Sequence, residues 1–411
     1  MKYPRYNSLC LSLWLFFLFV MPFAAQAETS ASQAASQKPQ TGPAVNLVLW
    51  SDIHIGEPNT NMQYWEKLLD EGLKNKEASA FIFSGDLVDN KNADEKIFQE
   101  RIDIFCHDYV PKMLSAGRPL IVAYGNNDFY KNYNTEPDNM RPVMDSMKKA
   151  MGEAYYLDEL GNGVYPRLIN GVTFITMNSL IFSAQNSCPE AILKKQREDT
   201  MNWLKASLAA VPADSAAVIV CHVPPCVDAW NNKMHWDGDY MKRFHQILAD
   251  SECSVMVLSG HTHTNEIHAY RIDEVKSAPI FIVSSIAQKY GYNAAYRTAR
   301  IDFDAETGVP VKISWTVHYA NPTFGETSVV INEPCSTETV EAIGELLDDD
   351  AFYFNYMEDF YTRCTDWREK CSPAEKREEI KAGFKVRSGW KGGRRHCAPG
   401  AKPDCAEDKA A

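Results

Sequence analysis

The sequence contains no Cys-x-x-Cys pair, which disfavours a zinc ribbon or a thioredoxin-like redox site. It contains no His-Glu-x-x-His and no Gly-x-Ser-x-Gly. Neither a helix-borne zinc site for amide hydrolysis nor a serine nucleophile on a strand-to-helix turn is therefore expected. No internal period recurs, so repeat architectures are excluded. Basic residues are in the minority: 42 Lys and Arg face 54 Asp and Glu, a net charge of −12. Specific nucleic-acid binding is not expected of so acidic a chain. Past the N-terminus no second apolar run reaches membrane-spanning length, so any membrane contact is expected to be peripheral.

What is present begins with an export pattern. Lys2 and Arg5 precede "LCLSLWLFFLFVMPFAA", and "AQA" ends at Ala27. A charged n-region, an apolar h-region and a small-x-small site mark residues 1–27 as a cleaved signal peptide. A mature chain from Glu28, secreted or periplasmic, follows. An uncleaved anchor is the alternative, because the apolar run approaches spanning length. Beyond Cys10 stand ten of the 11 cysteines, an even set that points to disulfides in an exported chain. Cys364 with Cys371 and Cys397 with Cys405 are the local pairs. The remaining connectivity is open. Residues 376–402 are basic, opposed only by Glu378 and Glu379. They read as a solvated tail, or as a contact surface for an anionic substrate or headgroup.

Residues 28–44, rich in Ala, Ser, Gln and Pro, read as a linker, and a catalytic domain is expected over 45–332. "AVNLVLW", "AFIFSG" and "PLIVAYG" are short apolar runs of buried-strand type, separated by helix-permissive segments. "GVYPRLI" and "GVTFITMN" are two strands joined at Asn170-Gly171, a hairpin signal. Helices are expected over 140–151, about 189–208 and around Tyr240 to Leu248. "AAVIVCH", "SVMVLSGH", "EIHAYRI", "APIFIVSS", "TARIDFD" and "VKISWTVH" are further strands. Alternation in the first half and consecutive strands in the second imply a layered α/β domain with a large mixed sheet system. Residues 333–411 read as a helical, cysteine-containing extension ending in the basic tail.

The chemistry sits directly after the strands. Asp52 and His54 follow the first, Asp86 the second, and Asn126, Asn127 and Asp128 the third. His222 ends a later strand, and His261 and His263 follow another. Ligands in α/β sheets bind beyond the carboxyl ends of strands. Imidazole nitrogen with carboxylate and amide oxygen suits Zn, Mn, Fe or Co rather than calcium. Seven of these groups, Asp52, His54, Asp86, Asn126, His222, His261 and His263, are too many for one tetrahedral ion. They suit two divalent transition-metal ions, zinc foremost, about 3.5–4 Å apart and sharing one carboxylate, with a bridging water made nucleophilic near neutral pH.

The order resembles that of the calcineurin-like metallophosphoesterases. Their Asp-x-His, Gly-Asp, Gly-Asn-His-Asp/Glu, His and Gly-His-x-His read here as "DIH", "GD", "GNND", "CH" and "GHTH". The resemblance implies a four-layer α/β/β/α metallophosphoesterase sandwich, here with the C-terminal helical extension. It also implies one ion on Asp52, His54, Asp86 and His263, and another on Asp86, Asn126, His222 and His261, with Asp86 shared. "GNNDFYKN", "IVCHVPPC", "VDAWNNKMHW" and "DFYTRC" further resemble the acid sphingomyelinase-like branch, which includes lipid and nucleotide-type phosphodiesterases and endopolyphosphatases. The "GNND" spelling is most similar to the polyphosphatases. No saposin-type domain fits ahead of Val45.

Asn127 departs from the family's histidine, thought to hold the phosphate and protonate the leaving oxygen. An amide can hydrogen-bond a phosphoryl oxygen but supplies no proton near neutral pH. Either the leaving group needs no acid, or another group is the acid, or turnover is lost. His235 is the first candidate acid, with Asp128, Tyr130 and His107 behind it. His268 is a candidate to stand behind the ligands, and Asn178 to touch substrate; His245 and His318 read as structural. The expected function is an exported dimetal phosphohydrolase, in the first place a phosphodiesterase of the sphingomyelin-like lipid or nucleotide type. Phosphoanhydride hydrolysis (polyphosphate or nucleotide pyrophosphate) and metal-bound recognition without turnover are the alternatives.

Overall fold

A computed structural model describes residues 44–339 except 154, 229–232 and 305, together with 387–388. Its first strand, β1 (Ala44–Trp50), explains the architecture. Val45, Leu47 and Leu49 point into one apolar cluster, while Val48 and Trp50 point into another. A strand alternates its side chains, so one with no polar face must be covered on both sides. β2 (Ala80–Phe83) repeats the pattern, with Ala80 and Ile82 in the first cluster and Phe81 and Phe83 in the second. β3 (Leu120–Val122) lies beside it.

The second half behaves likewise. β4 (Tyr165–Ile169) and β5 (Val172–Thr176) form the expected hairpin, turning at Asn170 and Gly171 with φ of 49° and 82°. β6 (Ala216–Val220) sends Val218 and Val220 into the first cluster and Ala217 and Ile219 into the second. β7 (Ser254–Ser259) divides Met256 and Leu258 from Val255 and Val257 in the same way. Then come β8 (Glu266–Arg271), β9 (Ser277–Ile282), β10 (Ala295–Phe303), β11 (Pro310–Tyr319), β12 (Glu326–Asn332) and β13 (Arg387–Ser388).

The strands form two sheets, ordered β12-β11-β10-β1-β2-β3 and β13-β8-β9-β7-β6-β5-β4. The first cluster fills the space between the sheets. The second lies on their outer faces, where helices Met62–Leu73, Glu190–Ala209 and Gly238–Asp250 bury Trp65, Leu68, Leu204 and Phe244. The result is the expected four-layer α/β/β/α sandwich. β1, β2 and β3 run parallel in one sheet, and β5, β6, β7 and β9 in the other.

Three features depart from the sequence reading. β12 was not anticipated: it is an edge strand, and Ile331 is its one buried residue. The helical stretch after Asp94 breaks into Glu95–Ile104, a π turn over Phe105–Tyr109, and Val110–Ser115. Pro111 has no N–H to continue the regular ladder there. Beyond residue 339, within the expected helical extension, Arg387–Ser388 is a strand beside β8.

The expected disulfide framework is absent among the described residues. Cys106, Cys188, Cys221, Cys253 and Cys335 are buried, unlinked thiols. The pairs Cys364–Cys371 and Cys397–Cys405 lie outside the described residues, as do the signal peptide and most of the basic tail. No helix among the described residues is long and apolar enough to cross a membrane.

Candidate metal centre

The parallel strands point their carboxyl ends at one place, and all seven expected donors arrive there. Donor atoms of Asp52, His54, Asp86 and His263 lie within 4.8 Å of one another, and all four residues are buried. His54 Nε2 and His263 Nε2 face each other at 3.1 Å. His263 Nε2 is 3.5 Å from Asp52 Oδ1. Asp86 stands between two groups: Oδ2 is 3.4 Å from His54 Nε2 and Oδ1 is 3.4 Å from His222 Nε2. On that second side His261 Nδ1 lies 3.3 Å from His222 Nε2. His222 Nδ1 donates to Ser84 O at 2.8 Å, which fixes the tautomer and leaves Nε2 a lone pair for the site.

Local backbone sacrifices regularity to achieve this. Asp52, His54, Asp86, His261 and His263 have φ of 51°, 50°, 53°, 79° and 64°. Left-handed non-glycine residues cost on the order of 1–3 kcal/mol each and cluster at functional sites. Here they are held by Asp52 N–H to Gly85 O (2.9 Å), His54 N–H to Asp86 O (3.0 Å) and Ile55 N–H to Leu87 O (3.1 Å). Two motif glycines are required by close approach. A Cβ at Gly125 would meet Asp86 Oδ1 at 2.2 Å and Asp86 N at 2.4 Å. One at Gly260 would meet Ser51 Oγ at 2.0 Å.

The residues fit a pair of cations. Asp52 Oδ1 and Asn126 Oδ1 are buried and accept no hydrogen bond, a deficit of about 1–3 kcal/mol each that a cation would remove. The Asn126 amide is oriented for this. Its Nδ2 donates to Asn132 Oδ1 at 3.0 Å, which leaves Oδ1 for the site. Burial acts to raise the Asp52 carboxyl, yet His263 and His222 hold it at about 2. Burial acts to lower His222, yet Asp86 and Asp52 push it up to about 9. Burial lowers His263 to about 3. Asp52 and Asp86 are thus held ionised and burial keeps His261 and His263 neutral, a donor setting that divalent cations complement.

A cavity of about 540 Å³ opens above these donors. Asn127 lines it and is tied to Asp86: Nδ2 donates one hydrogen to Asp86 Oδ2 at 2.7 Å and the backbone N–H donates to Asp86 Oδ1 at 2.8 Å. It clamps the shared carboxylate. His235 also lines the cavity, its ring 5.3 Å from that of His261. Its Nε2 is buried without a hydrogen-bond partner, and burial lowers its pKa.

The other candidates fall elsewhere. Asp128 accepts from the backbone N–H groups of Asp86, Leu87, Val88 and Gly125 at 3.0, 2.6, 3.2 and 2.7 Å. Burial and Asp86 raise it to about 7, but four donors occupy every lone pair of the ionised carboxylate. It is a brace for two motif loops rather than an acid. Tyr130 and His107 do not line the cavity. Asn178 caps the turn Ser179–Phe182 by accepting from Leu180 N at 3.2 Å. His268 is paired with Glu266 at 2.5 Å, and Glu266 lines the cavity.

Sequence reasoning missed Asn132 and Tyr133, whereas Asp89 and Asn90 read from the sequence either as orienting the ligands or as turn residues. Asn90 Nδ2 donates to Asn126 O (3.3 Å) and Phe129 O (2.9 Å), fixing the loop after β3. Tyr133 places its hydroxyl 3.2 Å from His261 Nε2. The one sequence signal of Asn132 and Tyr133 is position within "GNNDFYKNYN".

The calcineurin-like phosphoesterase family model matches residues 45–265. Sphingomyelinase phosphodiesterase D of Dictyostelium discoideum is 24% identical over 197 residues, 44% of each chain, so the match spans under half of that relative's length. Among solved structures, a dimetal phosphatase from Danio rerio aligns with TM-score 0.49 and 12% identity, covering 71% of this chain and all of the other. A 5′-nucleotidase from Candida albicans aligns with TM-score 0.40 and 14% identity, covering 84% of this chain and 60% of the other.

Proposed function

This chain belongs to the calcineurin-like phosphoesterase family, and on that premise we propose that it is an exported dimetal phosphohydrolase that cleaves a phosphodiester. The observation that carries the reading is the Asp86 carboxylate, one oxygen 3.4 Å from His54 Nε2 and the other 3.4 Å from His222 Nε2. Asp52, His54, Asp86 and His263 would hold one divalent ion. Asp86, Asn126, His222 and His261 would hold the other. Zinc fits this donor set, as do manganese, iron and cobalt. Bound there, the ions would supply Lewis acidity at the phosphoryl group and an activated water.

The chain's own residues do the positioning. Asn127 holds both Asp86 oxygens at fixed angles. Asn132 keeps the Asn126 carbonyl turned to the site. Lys91 and Lys289 line the cleft and offset the charge of an entering phosphate. His235, which lines the cleft and whose Nε2 has no hydrogen-bond partner, would exchange a proton with the leaving oxygen. Burial favours its neutral form, and an incoming phosphoryl anion would restore part of its basicity.

The name of the Dictyostelium relative puts a sphingolipid phosphodiester among the substrates to try. A second reading is favoured by one observation. Asn127, with its amide tied to Asp86, offers no proton, which suits the weakly basic leaving group of a polyphosphate or nucleotide anhydride. The test is a panel of bis-p-nitrophenyl phosphate, sphingomyelin, a nucleoside triphosphate and polyphosphate, run after reconstitution with zinc or manganese. Chelator-sensitive cleavage of a diester is expected. No hydrolysis of any member would leave recognition without turnover and overturn the proposal. Export rests on the pattern in residues 1–27, and a secreted product that begins at Glu28 by N-terminal sequencing is expected.

A further inference from the structure

Tyr133 is a half-buried aromatic in the cleft wall with φ of 50°. A bulky residue in the left-handed region is a true outlier and persists only where surrounding contacts over-determine it. Two contacts do so. Its carbonyl accepts from Ser187 N at 2.7 Å and Ser187 Oγ at 3.3 Å. Its hydroxyl meets His261 Nε2 at 3.2 Å, the rings standing nearly perpendicular at 85°.

The hydrogen on His261 can be placed. Nδ1 faces His222 Nε2 at 3.3 Å, on the side of Asp86 and Asn126. For Nδ1 to offer a lone pair to an ion there, the imidazole hydrogen must sit on Nε2. The Tyr133 oxygen then accepts it. A phenol that accepts still has its own hydrogen to give, and accepting strengthens it as a donor. That hydrogen has the cavity to enter, on the same loop as Asn127.

We propose that Tyr133 is a two-way hydrogen-bonding residue of the site: it accepts from His261 Nε2 and so fixes the tautomer that binds the second ion, and it donates to a substrate phosphoryl oxygen. It adds a donor beside the Asn127 amide, which gives one of its two Nδ2 hydrogens to Asp86 Oδ2. The inference rests on the dimetal reading above.

The test uses the full chain as Tyr133→Phe, which keeps the ring and removes the hydroxyl. The first measurement is zinc titration of the chelator-stripped protein, which needs no turnover. The second ion should bind about 10- to 100-fold more weakly, the usual effect of losing a partner of a metal-bound histidine. The first ion should bind unchanged. The second measurement is inorganic phosphate binding to the two-zinc protein by calorimetry, where a loss of about tenfold is expected. The thermal unfolding midpoint of the chelated variant should fall by only a few degrees, the effect of one lost hydrogen bond, so the variant stays folded at the titration temperature. Unchanged binding of the second zinc overturns the proposal, and so does unchanged phosphate binding. A wild-type protein that binds two zinc ions but hydrolyses nothing would overturn the proposed function instead, and the zinc titration would still decide the role of Tyr133.

Discussion

At the residue scale the site is a contest for lone pairs. Asp86 and Asp128 are adjacent buried carboxylates with opposite fates. Asp86 turns its oxygens toward the His54 and His222 imidazoles and the Asn127 amide; Asp128 spends all of its capacity on backbone N–H groups. Replacing Asp128 by Asn removes charge-assisted bonds and sets an amide NH₂ against backbone donors. A loss of about 3 kcal/mol is expected from urea unfolding of the chelated protein; an unchanged midpoint would return Asp128 to the list of acids. Asn127→His adds a proton donor over the cleft while the backbone N–H of position 127 keeps its bond to Asp86 Oδ1. Two ions should still bind. The rate ratio of an alkyl phosphodiester to polyphosphate should rise at least about tenfold, a fraction of the roughly 10²–10⁴ that a well-placed general acid provides. If both substrates respond equally, the leaving-group account of Asn127 is wrong.

At the element scale, strand ends carry the function and their loops carry the precision. The strands and the seven donors were legible because each demand is local. A two-sided buried strand needs an unbroken apolar run, and a metal needs His, Asp or Asn at its end. Asn132 and Tyr133 were not legible, because one acts through the curl of its own loop, which brings it back to Asn126, and the other through His261, which follows β7 and is 128 residues away. β12 was missed because an edge strand with one buried side chain has no apolar pattern to show. Asp128 stood behind His235 as a candidate acid because sequence shows a carboxylate but not the four N–H groups aimed at it. The glycines are the sharpest link from element to site. Gly125→Ala drives a Cβ against the Asp86 backbone at 2.4 Å, which a side-chain rotation cannot relieve. A destabilisation of about 1–3 kcal/mol and loss of at least one bound zinc are expected, by unfolding and elemental analysis. An alanine variant with two zinc ions would show that the β2 and β3 loops are more compliant than their packing implies.

At the scale of the whole molecule the donors come from both layers of the sandwich. Asp52, Asp86 and Asn126 follow β1, β2 and β3 of one sheet. His222, His261 and His263 follow β6 and β7 of the other. Between the sheets lies an apolar interface with no direction of its own. Polar ties across the end of the sandwich are few and specific, such as His261 N–H to Asp52 Oδ2 at 3.1 Å and His222 Nδ1 to Ser84 O at 2.8 Å. A cation pair held on both sides would fix the register of the sheets and draw its binding energy only in the folded state. Binding to the native form alone adds about 2.7 kcal/mol at a free-ion concentration 100 times the dissociation constant. Chelation should therefore lower Tm by several degrees, and amide exchange should quicken at the ends of β1, β2, β6 and β7 more than in the antiparallel strands β10 and β11. Asp86→Asn, which weakens both donor sets at once, should unfold at nearly the same temperature with and without chelator. A wild-type protein that loses two ions to the chelator yet keeps its Tm and its exchange pattern would mean that the sheets hold their register unaided, and that the ions serve the chemistry alone.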